Sequence, residues 1–249
     1  MVGYNTVEVN KQFSIFAVNF ENVTGGVLDL NDAIPVAEQM TRGRSDSDAD
    51  TVMVMQNDGG YVSYYVSDGI VKQKGKEQPY NAALDGKWLK VGSSAIAAVP
   101  LNPGVSFWYK ATNYETPWSL SIAGAVPSDA TKTIEINKSY SLISNPYPFD
   151  LDVNAISYVD GMTKGRSDTD ADTIMIMQAD GGYLNYYLSD GIVKQKGKEQ
   201  PYNAALDGKW LKVGSSAVAA AAIPTGKGAF YKRTGETDFS IVIDSPIAK

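Results

Sequence analysis

The chain has 249 residues with no cysteine and no histidine, and it carries a formal charge of −6 with a sequence pI near 4.8. The two absences exclude disulfides, thiolate nucleophiles, serine–histidine triads, Cys/His zinc sites and imidazole acid–base chemistry. The acidic balance argues against nucleic acid and against an anionic membrane surface as partners, because both are held by a net basic face.

Apolar residues at 43% and charged residues at 20% are ordinary for a globular chain, and 15 tyrosines with 23 glycines favour strands and tight turns. No apolar run reaches the length needed to span a bilayer, so no membrane insertion is expected. No signal peptide is visible before the first strand-like pattern, which begins almost at Met1.

Strand patterns are predicted at 6–9 and 13–20 around an Asn10-Lys11-Gln12 turn. A short helical turn is predicted over 31–39, opened by Asn31 as a cap. The strand at 51–56 is apolar on both faces, and Asn57-Asp58-Gly59-Gly60 makes a hairpin turn into 61–66. There Val62, Tyr64 and Val66 alternate with Tyr61, Ser63 and Tyr65, the second set forming the wetter face. Strands at 105–110 and 118–122 close the first half.

The second half restates the first. The block SDGIVKQKGKEQPYNAALDGKWLKVGSSA stands at 67–95 and again, unchanged, at 189–217. Around it, MTRGRSDSDADT (40–51) matches MTKGRSDTDADT (162–173), VMVMQ (52–56) matches IMIMQ (174–178), and TVEVNK (6–11) matches TIEINK (133–138). Core-like positions exchange Val for Ile or Leu while the polar block stays identical. Recent gene copying explains this, and so does a requirement that both loops face equivalent partners. A second helical turn is predicted at 154–159 behind Asn154, with strands at 183–188, 229–232 and 239–243.

The fold expected is all-β: two tandem homologous β-sandwich or open-barrel domains, 1–126 and 127–249, each with at most a short helical turn. Met53, Met55, Met175 and Met177 then fall in central strands covered on both sides, or present one face to a neighbouring subunit.

The segment 135–148, EINKSYSLISNPYP, the Asp-Gly-Gly-Tyr hairpins and the closing segments Gly104–Tyr109 and Gly226–Tyr231 resemble duplicated β-repeat proteins secreted by bacteria. The first copy departs from the Asn-Pro step, running through Phe20 instead. The resemblance implies a β fold and an extracellular or cell-surface location, and no catalysis.

Three carboxylates at alternate positions, Asp46, Asp48 and Asp50, recur as Asp168, Asp170 and Asp172. This spacing suits a hard cation such as Ca2+, although Thr51 and Thr173 replace the glycine of a calcium loop. The other reading is a solvated acidic loop. Lys72, Lys74 and Lys76 recur as Lys194, Lys196 and Lys198, a basic loop complementary to the acidic one. Trp88 and Trp210, beside Tyr80 and Tyr202, are candidate interface anchors or sugar-stacking platforms, or else are tucked under their own loops. No carboxylate pair stands out for glycoside hydrolysis, and an enzyme is not expected. The function expected is self-assembly into a filament, tube or layer with copies of itself, calcium-assisted, with a polysaccharide-binding or adhesion module as the alternative.

Overall fold

In the computed structural model, which describes residues 1–56, 58–73, 75–136, 139–195 and 197–247, each sequence repeat folds as a β-sandwich with its own core. The first repeat carries β1 (Val2–Val9), β2 (Phe13–Ala17), β3 (Thr51–Met55), β4 (Tyr61–Asp68), β5 (Asp85–Lys90), β6 (Ser106–Lys110) and β7 (Trp118–Ala125). Their counterparts are β8 (Thr131–Ile136), β9 (Tyr140–Ile143), β10 (Thr173–Met177), β11 (Tyr183–Asp190), β12 (Asp207–Lys212), β13 (Ala229–Lys232) and β14 (Phe239–Asp244). Two-residue strands fill the connections.

One layer of each sandwich is a five-stranded antiparallel sheet, β2-β6-β3-β4-β5 or β9-β13-β10-β11-β12. The other is a two-stranded ribbon, β1-β7 or β8-β14. Side chains alternate across a strand, so one face of each layer is apolar. In β7, Trp118, Leu120 and Ile122 are buried while Ser119, Ser121 and Ala123 face solvent. Those buried side chains belong to the same core as Phe16, Val54, Val66, Phe107 and Tyr109 of the large sheet.

Two expectations need correction. The helical segments shrink to one turn, α1 (Leu30–Ala33), and a 3-10 turn at Val153–Ala155. Their caps are Asp29 and Asp152, whose carboxylates accept from the amides of Asn31 and Asn154 at 3.0 and 2.8 Å. Asn31 instead clamps β5 from the side, accepting from Trp88 N and donating to Ala97 O, each at 3.0 Å. Asn154 holds Trp210 N and Ala219 O in the same way. The face of β4 expected to be wet is only partly so. Tyr61 is exposed, but Tyr65 is buried in a small outer core with Ala49, Val71 and Leu89, and Tyr187 is its counterpart.

The repeats join through reciprocal contacts. Ala17 N donates to Gly226 O and Ser144 N donates to Gly104 O, both at 2.9 Å. Phe16 bridges Lys227 and, in the mirrored pair, Ile143 bridges Val105. Gly104 and Gly226 hold φ of +93° and +74°, and a Cβ on either would press on Ile134 or on Val7, which are equivalent residues of β8 and β1. The two halves therefore meet as in a twofold dimer, the same patch against itself. The otherwise open edges of β2 and β9 are closed by it. At the far edges, β5 is covered by its own chain, with Ala97 N donating to Trp88 O at 2.7 Å, and β12 by Ala219 N to Trp210 O at 2.7 Å. Beside the junction, Trp108 meets Phe230 across the repeats with ring centroids 5.8 Å apart. Phe13 packs edge-on to Trp108, and Tyr140 edge-on to Phe230. Met53 and Met175 sit next to these rings in register, half-buried, so the outward methionine face is partly met by the chain's own second half.

Candidate functional site

The surface that the sequence repeats unchanged lies at the two ends of the molecule. Strands β2 and β9 occupy the junction, and β5 and β12 the opposite edges of the sheets. The identical block contains β5 or β12 and the loops leading to it. Within it, Lys72–Gln73 pairs with Lys76–Glu77 as a small hairpin, as does Lys194–Gln195 with Lys198–Glu199. Lys72, Lys76, Lys194 and Lys198 are exposed, and Lys74 and Lys196 lie outside the described residues. Pro79 to Ala83 are exposed throughout. Tyr80 is 58% exposed, with one face of its ring against Gly69, where a Cβ would lie 2.4 Å from Cε2. Gly69 has φ +85°, and its missing side chain is what lets the ring lie there. Tyr80 OH donates to Asp85 Oδ2 at 3.2 Å, and Arg42 Nη1 holds Asp85 Oδ1 at 3.1 Å. Tyr202, Asp207 and Lys164 repeat the arrangement.

The acidic loops do not gather their carboxylates. Asp48 caps its own turn, accepting from Arg44 N at 3.2 Å, Ser45 N at 2.9 Å and Ser45 Oγ at 2.6 Å. Burial would raise its pKa, but those hydrogen bonds outweigh it and hold the carboxyl below its ordinary range. Asp50 is buried and points inward, accepting from Tyr109 OH and Thr112 N at 2.7 Å each. Desolvation raises its pKa against those donors, and Tyr109 beneath it is raised by burial and by the carboxylate. Asp170 and Asp172 repeat both roles, with Tyr231 OH at 2.8 Å and Thr234 N at 2.7 Å on Asp172. Asp46 and Asp168 stay at the half-exposed start of the loop, and their carbonyls accept from Lys110 and Lys232 at 2.7 and 3.0 Å. Among the described residues no three acidic side chains come together as a metal cage.

Acidic and basic loops are neighbours within each repeat. Arg44 joins them, with Nε 3.3 Å from Asp68 and Nη1 2.7 Å from Glu77 of the lysine hairpin. Arg166 makes the same pairs with Asp190 and Glu199 at 3.2 and 2.6 Å. Both arginines stand in the repeated GRSD segment, whose aspartates draw attention first because they alternate.

Trp88 and Trp210 are not anchors. Both are fully buried, and their indole N–H groups donate to Ile34 O and Ile156 O at 2.8 and 2.9 Å. The polar composition around them hid this, because their partners lie over 50 residues away in sequence. The exposed aromatic of each block is the neighbouring tyrosine. Among the described residues no helix is long and apolar enough to cross a membrane. Set against family models, curated proteins and solved structures, the chain finds no match in any of the three.

Proposed function

We propose that this is a non-catalytic structural protein of the extracellular space or cell surface that assembles end to end with copies of itself. One observation carries the reading: 29 residues recur unchanged, and they form the two edges of the molecule that face away from the junction. Within that block the exposed residues 79–83 recur unchanged as 201–205, where an unconstrained loop would drift. A molecule with one surface at both ends is bivalent. Each end sets the acidic loop beside exposed lysines, so a twofold contact between two ends brings lysine to carboxylate in both directions. Because every molecule has two such ends, the contact propagates into a chain. Calcium strengthens it by bridging the acidic loops of adjoining molecules.

Light scattering after size exclusion, with negative-stain imaging, tests this. The parent should lengthen with concentration. Lys194→Glu with Lys198→Glu, which alters one end only, should stop at dimers. Adding Lys72→Glu and Lys76→Glu should leave monomers. A parent that is monomeric at every concentration, with and without calcium, overturns the proposal.

A second reading, polysaccharide binding, is favoured by the flat, pinned ring of Tyr80 and its twin Tyr202. A ring held from behind offers its open face to a sugar without loss of side-chain freedom. Tyr80→Ala with Tyr202→Ala should abolish retention on a polysaccharide gel; unchanged retention counts against these rings.

A further inference from the structure

The junction carries a site of a different kind. Between the repeats lies a groove of about 240 Å³, into which Lys11 and Lys227 both project from opposite halves of the chain. Lys11 Nζ donates to Gln178 O at 2.6 Å, and Lys227 Nζ to Glu8 O at 3.3 Å. Neither ammonium has a carboxylate ion-pair partner among the described residues. Lys227 also stands 4.3 Å above the ring of Phe16, which gives partial compensation only. Glu8, the acid on the same wall, is engaged by Asn10 at 2.6 Å. Ser14 lines the groove too, and its buried hydroxyl has no hydrogen-bond partner. Ile15, Ile176 and Met177 supply an apolar stretch of the wall, beside the polar Asn10 and Gln178.

Two cations without an ion-pair partner among the described residues, an unsatisfied hydroxyl and an apolar wall describe one ligand chemistry. We propose that this groove binds an aliphatic carboxylate, its oxygens between Lys11 and Lys227 and its chain along the isoleucines. Charge-assisted hydrogen bonds fix the head group, and burial of the tail adds to them. Bound there, the ligand ties β2 to the segment before β13 and stabilises the junction by mass action.

The groups facing Lys227 explain a further property. Desolvation first, and then the neighbouring Lys11, lower its pKa to about 8 against the opposing pull of Glu8. A carboxylate in the groove reverses that, so binding takes up a proton near pH 8 and weakens as the pH rises past it. The equivalent position in the first repeat is Val105, so the mirrored groove lacks this cation.

Isothermal titration of the whole chain with hexanoate tests the assignment. At pH 7 hexanoate should bind saturably at one site per chain. Affinity should fall about tenfold or more at pH 10, and by as much in Lys227→Val, while Lys227→Arg retains it at both pH values. The unligated melting temperature of each variant establishes that it is folded. No binding of hexanoate, equal binding by hexanol, equal binding by inorganic phosphate, or an unchanged affinity in Lys227→Val each overturns the assignment. The test is independent of polymerisation, because it reads the junction and the ends are untouched.

Discussion

The middle of the molecule and its ends are built from the same two sequences and have diverged in opposite ways. At the ends the repeats are identical over 29 residues. At the junction the geometry is symmetric and the sequence is not: Gly104-Val105-Ser106 is answered by Gly226-Lys227-Gly228. The difference follows from where each residue lies relative to the twofold relation. A residue at the ends never meets its own counterpart within the chain, so nothing there opposes identity. Ser106 and Gly228 are counterparts that do meet. A Cβ on Gly228 would fall 2.1 Å from Ser106 Oγ and 2.4 Å from its Cβ, so two serines cannot both be accommodated. A junction between identical halves would need glycine twice, and the present chain instead keeps one serine, whose hydroxyl donates to Ile143 O at 2.7 Å.

The sharpest way to break that comparison is to restore identity in the middle. Gly228→Ser should destabilise the protein by about 3 kcal/mol, since the added side chain meets backbone-anchored atoms with nowhere to move. Urea denaturation measures it. Ser106→Gly in the same chain should recover part of the loss, the remainder coming from Ile15 Cγ2, 2.7 Å from the added Cβ, and the double-mutant cycle reads the coupling. A small loss in Gly228→Ser, or none recovered by Ser106→Gly, would show that the two residues do not oppose each other in solution.

Next in size is a change that can be made in both halves. Asp50→Asn and Asp172→Asn each leave a buried amide group facing donors, Tyr109 and Thr112 in one repeat and Tyr231 and Thr234 in the other. Each should lower stability by about 1–3 kcal/mol, with the larger loss at Asp172, where Arg233 also favours the carboxylate and the first repeat has Ala111.

Much of the architecture was legible in the sequence. Period-two alternation located the strands, Val62, Tyr64 and Val66 being one case, and the repeat located the two sandwiches. What stayed hidden depends on contacts between distant residues. Nothing local says that Asp50 turns inward to a tyrosine 59 residues on, or that Trp88 finds Ile34 O 54 residues back. A carboxylate run looks the same whether it faces solvent, a cation or its own turn. The junction was hidden because strand edges carry no side-chain signature: pairing of β2 with the other repeat is made by backbone groups. The mismatch of Ser106 with Gly228 was visible but had no meaning until the two residues were found in contact.

A smaller effect separates the halves by pH. Lys227, near pKa 8 in the folded chain, returns to its ordinary value near 10.5 on unfolding. Between these values the unfolded chain holds more protons, so stability rises with pH across that window. Lys227→Val, which installs the residue of the other repeat, removes this slope. The variant should be the more stable of the two at pH 7, and the advantage should shrink as the pH approaches 10.5. Guanidine titrations at several pH values measure it; parallel curves for parent and variant would contradict the lowered pKa of this half-buried lysine.

The smallest effect belongs to the ends. Arg44 and Arg166 bind their acids at the surface, where water screens the charges and long side chains lose freedom to pair. Arg44→Gln should therefore leave the urea midpoint within experimental scatter. Its consequence is local: without the tether to Glu77, the lysine hairpin exchanges its backbone amides faster, and only in the first repeat. If the ends polymerise, a loosened hairpin at one end lowers the assembly constant while the junction is undisturbed. Hydrogen exchange at Lys76 and Glu77, compared with Lys198 and Glu199 in the same molecule, supplies its own control. Equal protection at both ends would mean that the arginine does not organise the surface that the sequence has kept identical.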